Sequence, residues 1–177
     1  MIDVRHNKDQ RILQKILSDH QVVIISVTNV KVQPLNNGFK QLIKLTDLHL
    51  IHSDLNSNRH RQLAIDQEIR VLPTVIVYYQ RKFYHQFVHV SIEAILDQIL
   101  EQMFDQFIPN ETSNTIMKKI YGIGHDVAGY KYQIRSLQQI ANEYLVTKQQ
   151  IKNLEKNCLK ILKNKANHLK LVLQTNY

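Results

Sequence analysis

Five polar side chains near the start of one helical segment are of types that hydrogen-bond to nucleic-acid bases. They are Lys148, Gln149, Gln150, Lys152 and Asn153. A lysine ammonium group donates to O6 and N7 of guanine, and a glutamine or asparagine amide pairs with both N6 and N7 of adenine. All five fall in the first two turns of a helix that Thr147 can cap. The sequence therefore presents a candidate base-reading surface.

The helices that position these side chains follow from apolar spacing. Leu137, Ile140 and Ala141 recur at helical spacing before a short turn, and Thr147 begins a second helix. The apolar stripe of that second helix consists of Ile151, Leu154, Cys158, Leu159 and Leu162. Two short amphipathic helices with a small residue at their crossing are typical of a helix-turn-helix, whose second helix enters the DNA major groove. Two helices of an ordinary bundle would show the same bare pattern.

A longer pattern surrounds this pair of helices. A basic helix ends in Tyr-Gly-Ile, a loop follows, and Leu-x-x-Ile-Ala precedes the turn. The residues of the pattern are Tyr121, Gly122, Ile123, Leu137, Ile140, Ala141, Val146, Thr147, Ile151, Leu154, Glu155, Cys158, Leu159 and Leu162. Residues 115–165 thus resemble region four of primary bacterial sigma factors. The resemblance implies that the five polar side chains approach bases of a promoter −35 element in double-stranded DNA.

Two residues depart from the sigma pattern. Gln149 stands where that family usually has Glu, which accepts a hydrogen bond from cytosine, so we expect a different preferred DNA sequence. Leu145 stands in the turn, where many such motifs have Gly. A positive φ costs a bulky residue about 1–2 kcal/mol. The turn therefore either carries this strain or adopts another geometry.

Positive charge is concentrated in the second part of the chain. Residues 1–108 contain 12 Lys and Arg against 11 Asp and Glu, whereas residues 109–177 contain 11 against 4. A basic segment beside a nearly neutral one is the electrostatic footprint of nucleic-acid binding by the basic segment alone. Phosphate contacts are expected from Lys118, Lys119, Lys131, Arg135, Lys156 and Lys160. An acidic protein or a membrane surface would attract the same charge.

The first hundred residues follow a different pattern. Apolar periodicity predicts helices and strands in the order α-β-α-β-α-β-β-α. The predicted strands are Gln21–Val27, Leu48–His52, Thr74–Tyr79 and Phe83–Val88. Strands linked through helices imply parallel neighbours, and the closing hairpin supplies an antiparallel edge.

Residues 9–105, in which Arg-Val-Leu-Pro-Thr ends at Thr74 and immediately precedes a strand, resemble the thioredoxin fold. The resemblance implies a cis proline at Pro73 and a groove for an extended peptide along Leu72, Pro73 and Thr74. The alternative is that Pro73 only shapes the strand entry. The family's Trp-Cys-x-x-Cys motif is replaced by Val-Lys-Val-Gln-Pro at residues 30–34. Thiol–disulfide exchange needs an attacking thiolate and a resolving partner. We therefore expect no redox activity and no enzyme.

Other chemistry finds little support in the sequence. The histidines between His49 and His89 lack a carboxylate or cysteine at ligand spacing, so no metal and no cofactor are expected. The single Cys158 lies on an apolar stripe and predicts a buried residue. No run of about 18 apolar residues occurs, and a cytoplasmic protein without membrane contact is expected.

The expected architecture is an α/β thioredoxin-like domain, with a central mixed sheet flanked by helices, followed by an all-α helix-turn-helix domain. Their limits are residues 1–108 and 109–177, joined at the polar segment Ile-Pro-Asn-Glu-Thr-Ser-Asn. The expected function is that of a bacterial DNA-binding transcription regulator, with the redox-inactive domain serving protein contact or homodimerisation. The alternative is a protein-only adaptor that binds RNA polymerase or another acidic partner.

Overall fold

The computed structural model describes residues 4–29, 35–54 and 64–173 of the chain, with side chains from residue 11 onward. Four strands and six helices have defined limits in this part. The helices are α1 (Val4–Asp19), α2 (Asn37–Leu45), α3 (Ile92–Phe107), α4 (Glu111–Tyr121), α5 (Leu137–Glu143) and α6 (Lys148–Lys165). The strands are β1 (Val22–Thr28), β2 (Leu48–Asp54), β3 (Thr74–Tyr79) and β4 (Lys82–Val88). A short 3-10 turn, Ala166–His168, follows α6.

The four strands form one mixed sheet in the order β2-β1-β3-β4. Strand β1 pairs parallel with β2 and antiparallel with β3, and β3 and β4 form the antiparallel hairpin. All seven residues of β1 are buried, as expected of a continuous β-branched run in a central strand. The predicted succession of strands along the chain, the parallel pair and the hairpin are confirmed, whereas the position of each strand within the sheet was not predicted.

One face of the sheet packs on α1. Val23, Ile25 and Ile76 are buried together with Leu17 of the helix. These residues alternate along their strands, so every second side chain reaches the same face. The helix predicted from Arg59 to Glu68 lies partly outside the described residues; residues 64–66 are helical, and Ala64 is buried in the same cluster. Residues 30–34, which replace the Cys-x-x-Cys motif, also lie outside them.

The chain divides into two compact units. The first contains α1, the four strands and the first turn of α3; the second contains α2, the remainder of α3 and α4–α6. In the second unit Ile116, Ile140, Ala141 and Ile151 form a buried cluster that joins α4, α5 and α6. The domain limits 1–108 and 109–177 stay a prediction.

A C-terminal segment of the second unit runs along α3. The side-chain amide of Gln102 donates to the carbonyl oxygen of Val172 at 2.5 Å and accepts from its N–H at 2.9 Å. Gln106, one helical turn later, pairs with Lys170 in the same way. Two glutamines on one face of α3 thus bond to the backbone of an extended segment through both their amide groups.

Candidate nucleic-acid interface

The turn between α5 and α6 has a regular C-cap geometry. Leu145 has a φ of 54°. The Leu145 N–H donates to Asn142 O at 3.4 Å, and the Val146 N–H donates to Ala141 O at 3.0 Å. These two bonds define a Schellman motif, whose left-handed position is usually Gly. The chain therefore carries the backbone strain at Leu145.

The Leu145 side chain gains nothing from the fold in exchange, because it is 92% exposed. Leu145→Gly should raise the free energy of unfolding by about 1 kcal/mol, since the strain is relieved and no packing is lost. Urea denaturation followed by far-UV circular dichroism measures the change. Leu145→Ala is the matched control, because it removes the same side chain and keeps the strain. An equal gain from Ala would assign the effect to the exposed side chain.

A capping box fixes the start of α6. The Thr147 side chain accepts from the Gln150 N–H at 3.2 Å, and Gln150 Oε1 accepts from the Thr147 N–H at 2.8 Å. Gln150 Oε1 also accepts from the Thr147 hydroxyl at 2.9 Å. The structure thus places the Gln150 side chain on the cap, whereas the sequence grouped it with the outward base-reading residues.

The remaining four predicted base-contact residues are exposed on the first two turns of α6. Gln149 Nε2 donates to Asn153 Oδ1 at 2.9 Å. This bond leaves the Gln149 carbonyl as an acceptor and the Asn153 amide as a donor, side by side. Adenine presents the complementary pair, an N6 donor and an N7 acceptor, in the major groove. Lys148 and Lys152 lie on one side of this amide pair around the helix axis.

Five of the six exposed cations of α6 form one surface, which we call the lysine face. It consists of Lys148, Lys152, Lys156, Lys160 and Lys163. Their spacing of four, four, four and three residues places them on one side of the helix. Within residues 4–29, 35–54 and 64–173, none of these ammonium groups makes an ion pair or hydrogen bond. The lysine face therefore presents uncompensated positive charge.

The only carboxylate of α6 points elsewhere. Glu155 Oε1 accepts from the hydroxyl of buried Tyr121 at 2.9 Å. Burial, together with the charge of Glu155, raises the pKa of Tyr121, so the phenol remains a donor. The bond ties α4 to α6 and keeps this negative charge engaged with a partner in the folded unit.

Two of the other cations predicted for phosphate are held by α3. Lys118 Nζ lies 3.0 Å from Glu101 Oε1 and 2.9 Å from Asp105 Oδ1, and its side chain is only 12% exposed. Burial lowers the pKa of Lys118, but the bonds and charges of Asp105 and Glu101 raise it by more. Lys131 Nζ lies 3.1 Å from buried Asp97. The structure therefore places Lys118 and Lys131 in ion pairs within the unit.

Glu143 at the end of α5 holds two further predicted cations. Lys119 and Arg135 both bind its carboxylate, the latter at 2.6 Å. The Lys119 ammonium group also lies 5.2 Å from the centre of the Tyr144 ring. The hydrogen bond from Lys119 lowers the pKa of Glu143. Of the six predicted phosphate contacts, only Lys156 and Lys160 remain without a carboxylate partner in the described part of the chain.

Asp97, Glu101 and Asp105 recur every four residues along α3, and the sequence reasoning missed them. Besides the two lysines, they bind backbone: the Gly124 N–H donates to Asp97 Oδ1 at 3.2 Å, and the His125 N–H donates to Glu101 Oε1 at 3.4 Å. We call these three residues the acidic stripe. The available signal was the i, i+4, i+8 spacing of carboxylates on a helix.

Lys118 distinguishes a structural cation from a DNA-binding one. Lys118→Gln should lower the free energy of unfolding by about 1–3 kcal/mol, because half-buried Glu101 and exposed Asp105 lose an ammonium group whose side chain is largely buried. DNA affinity should stay within about twofold of the parent protein. Urea denaturation and fluorescence anisotropy measure the two effects. A large loss of affinity in a variant that remains folded would return Lys118 to the DNA interface.

A groove runs between α2 and α6 in the second unit. Its volume is about 820 Å³, and Gln41 and Leu45 of α2 line one side. The α6 side includes four members of the lysine face, Lys152 to Lys163, and half-buried Leu159. Helix α2 also approaches α4 closely, because a Cβ added at Gly38 would lie 3.1 Å from Cδ1 of Tyr121.

The predicted peptide groove falls on the first unit. The Leu72–Pro73 bond is cis, as the thioredoxin resemblance implied. The Pro73 carbonyl accepts from the His89 N–H at 2.9 Å, and buried Thr74 donates its hydroxyl hydrogen to Val71 O at 2.6 Å. Peptide binding beside Leu72, Pro73 and Thr74 stays a prediction.

Among the described residues, no three His, Cys, Asp or Glu side chains are arranged to hold a metal ion. Cys158 is buried, and burial raises the pKa of its thiol. None of the helices described has both the length and the apolar character needed to cross a membrane.

Comparisons with known structures concern about half of this chain. A thioredoxin from Entamoeba histolytica is 16% identical, with 49% of this chain and 86% of the other covered and a TM-score of 0.38. A Halobacterium salinarum thioredoxin is 21% identical, with 48% of this chain and 77% of the other covered and a TM-score of 0.38. Arabidopsis thaliana thioredoxin O2 is 13% identical, with 53% of this chain and 88% of the other covered and a TM-score of 0.41. No protein-family model and no curated protein matches the chain. The thioredoxin-like arrangement of the first half rests on its own element order and mixed sheet.

Proposed function

We propose that this protein is a DNA-binding transcription regulator of the bacterial cytoplasm. Helix α6 is its recognition helix, and α5 and the Leu145 turn hold it in a helix-turn-helix resembling sigma region four. The observation that carries the proposal is the lysine face, whose five cations have no carboxylate partner among the described residues, beside the Gln149–Asn153 amide pair. The thioredoxin-like half serves protein contact or homodimerisation.

Charge pairing in the second unit supports this assignment. Four other cations that composition alone would offer to DNA are bound by Asp97, Glu101, Asp105 and Glu143. Favourable electrostatics toward DNA is therefore concentrated on α6. Phosphates attract such charge without regard to sequence, and amides at base edges provide the discrimination. The first turns of α6 present both the lysine ammonium groups and the amide groups.

Base recognition is assigned to Lys148, Gln149, Lys152 and Asn153. The first turns of a recognition helix enter the major groove, which is about 12 Å wide and accepts one α-helix. Gln150 has the different role of holding the cap that orients these turns. Lys156 lies one turn further along the lysine face and is assigned to phosphate.

Fluorescence anisotropy of the full chain on a labelled duplex tests the proposal. A promoter fragment with a −35-like element and a scrambled duplex are titrated between about 50 and 200 mM salt, where phosphate-dominated affinity falls steeply. Tighter binding to the promoter fragment, with a steep salt slope, is the expected result. Absence of binding to both duplexes would refute the proposal and favour the protein-only adaptor, for which RNA polymerase is the first bait.

A further inference from the structure

Base recognition accounts for only the first half of the lysine face. At 1.5 Å of rise per residue, Lys160 and Lys163 lie about 18 and 22 Å along the helix axis from Lys148. The major groove is about 8.5 Å deep, so a recognition helix inserted by its first turns leaves its last turns outside. Lys160 and Lys163 nevertheless line the groove between α2 and α6.

The walls of this groove combine apolar surface with positive charge. Leu45 of α2 and Leu159 of α6 are half-buried apolar side chains within it. The aliphatic stems of the lysines extend that apolar surface, and their ammonium groups remain at the rim. Glu155 is the one carboxylate among the described lining residues, and it is bonded to Tyr121. The lining thus offers a ligand apolar contact in the groove and ammonium groups at its rim.

The apolar surface and the positive charge of the groove together distinguish between two classes of anionic ligand, a nucleic acid and an acidic protein helix. A phosphate backbone has charge but no apolar stripe to cover Leu45 and Leu159. An amphipathic helix with a leucine-type stripe flanked by Asp or Glu has both. The stretch from Lys152 to Lys163 is about 16 Å long, the length of three helical turns. Helix-in-groove docking of such a segment satisfies both features of the lining.

We propose that the groove between α2 and α6 is a docking site for an acidic amphipathic helix of a partner protein. The apolar stripe of that helix packs on Leu45 and Leu159, and its carboxylates pair with Lys156, Lys160 and Lys163. The lining also includes Gln149, Lys152 and Asn153 of the base-reading turns, so the partner helix and DNA would compete for this part of α6. Docking of the partner helix does not itself require the proposed DNA contact.

The test uses three labelled synthetic peptides of about 15 residues with the full chain. The first is helical with leucines at i, i+4, i+7 and i+11 and glutamates beside them. The second has lysines in place of the glutamates, and the third has serines in place of the leucines. Anisotropy should show binding of the first peptide, and at least tenfold weaker binding of the other two. Absence of binding by the first peptide, or equal binding by the second, would overturn the proposal.

Protein variants locate the binding. Lys160→Ala with Lys163→Ala, and separately Gln41→Glu, should each weaken the acidic peptide at least tenfold. Gln41 is exposed, so its replacement leaves the fold intact, which circular dichroism checks. Lys165→Ala is the charge-matched control for Gln41→Glu, and twice its effect on the binding free energy is the control value for the double lysine variant. If both Gln41→Glu and the double lysine variant bind the acidic peptide as tightly as the parent protein, the peptide does not bind in this groove and the proposal is overturned. Loss of duplex DNA affinity in Gln41→Glu, without peptide binding by the parent protein, would assign the groove to nucleic acid.

Discussion

Alanine at both Lys148 and Lys152 should weaken binding of a promoter-like duplex by about 10- to 100-fold and lower its salt slope by about one to two. The two ammonium groups are exposed on the first two turns of α6 and have no partner among the described residues. Each released counterion contributes a slope of about 0.9, and each lost base contact costs about 1–3 kcal/mol. Anisotropy across a salt series measures both quantities.

Lys165→Ala is the matched control for this double variant. Lys165 is exposed on the same helix but lies about 200° around the axis from Lys163. It therefore carries the same charge without belonging to the lysine face. The double variant removes two positive charges, so twice the loss of binding free energy caused by Lys165→Ala is the loss expected from net charge alone. This expected loss is the allowance for net charge. If the double variant loses no more than that allowance, Lys148 and Lys152 do not contact DNA and the lysine face has another ligand.

The two groups of lysines explain what the sequence can and cannot predict about this interface. Lys118 and Lys148 have the same residue type and both lie on amphipathic helices in the basic part of the chain. Only tertiary structure separates them, because Lys118 is bound by Glu101 from 17 positions earlier. Apolar spacing predicts which face of a helix is buried. It does not predict which polar neighbour from another helix meets a given ammonium group.

Local geometry was more predictable than these pairings. Strand β1 follows from its continuous β-branched run, and the hairpin of β3 and β4 follows from two strand-like segments joined by a short polar turn. The strain at Leu145 was one of two predicted alternatives, and the turn bonds show that the chain carries it. The membership of α2 in the second unit had no local signal, since its sequence neighbours are strands of the first unit.

Gly124→Ala should lower the free energy of unfolding of the second unit by about 2–4 kcal/mol. Gly124 has a φ of 69°, and a Cβ there would lie 2.2 Å from Glu101 Oε1. The substitution therefore adds backbone strain and also displaces the carboxylate that holds Lys118 and the His125 N–H. Urea denaturation followed by far-UV circular dichroism measures the loss.

Gly129 separates the two contributions, because its φ is 82° and nothing lies within 4 Å of an added Cβ. Gly129→Ala should cost only the strain of a positive φ, about 1 kcal/mol. The additional loss of unfolding free energy in Gly124→Ala then measures how much Glu101 of the acidic stripe contributes through its contacts with Lys118 and with the loop after α4. Equal losses in the two variants would mean that Glu101 moves aside at no cost. The stripe would then not organise this loop through Glu101.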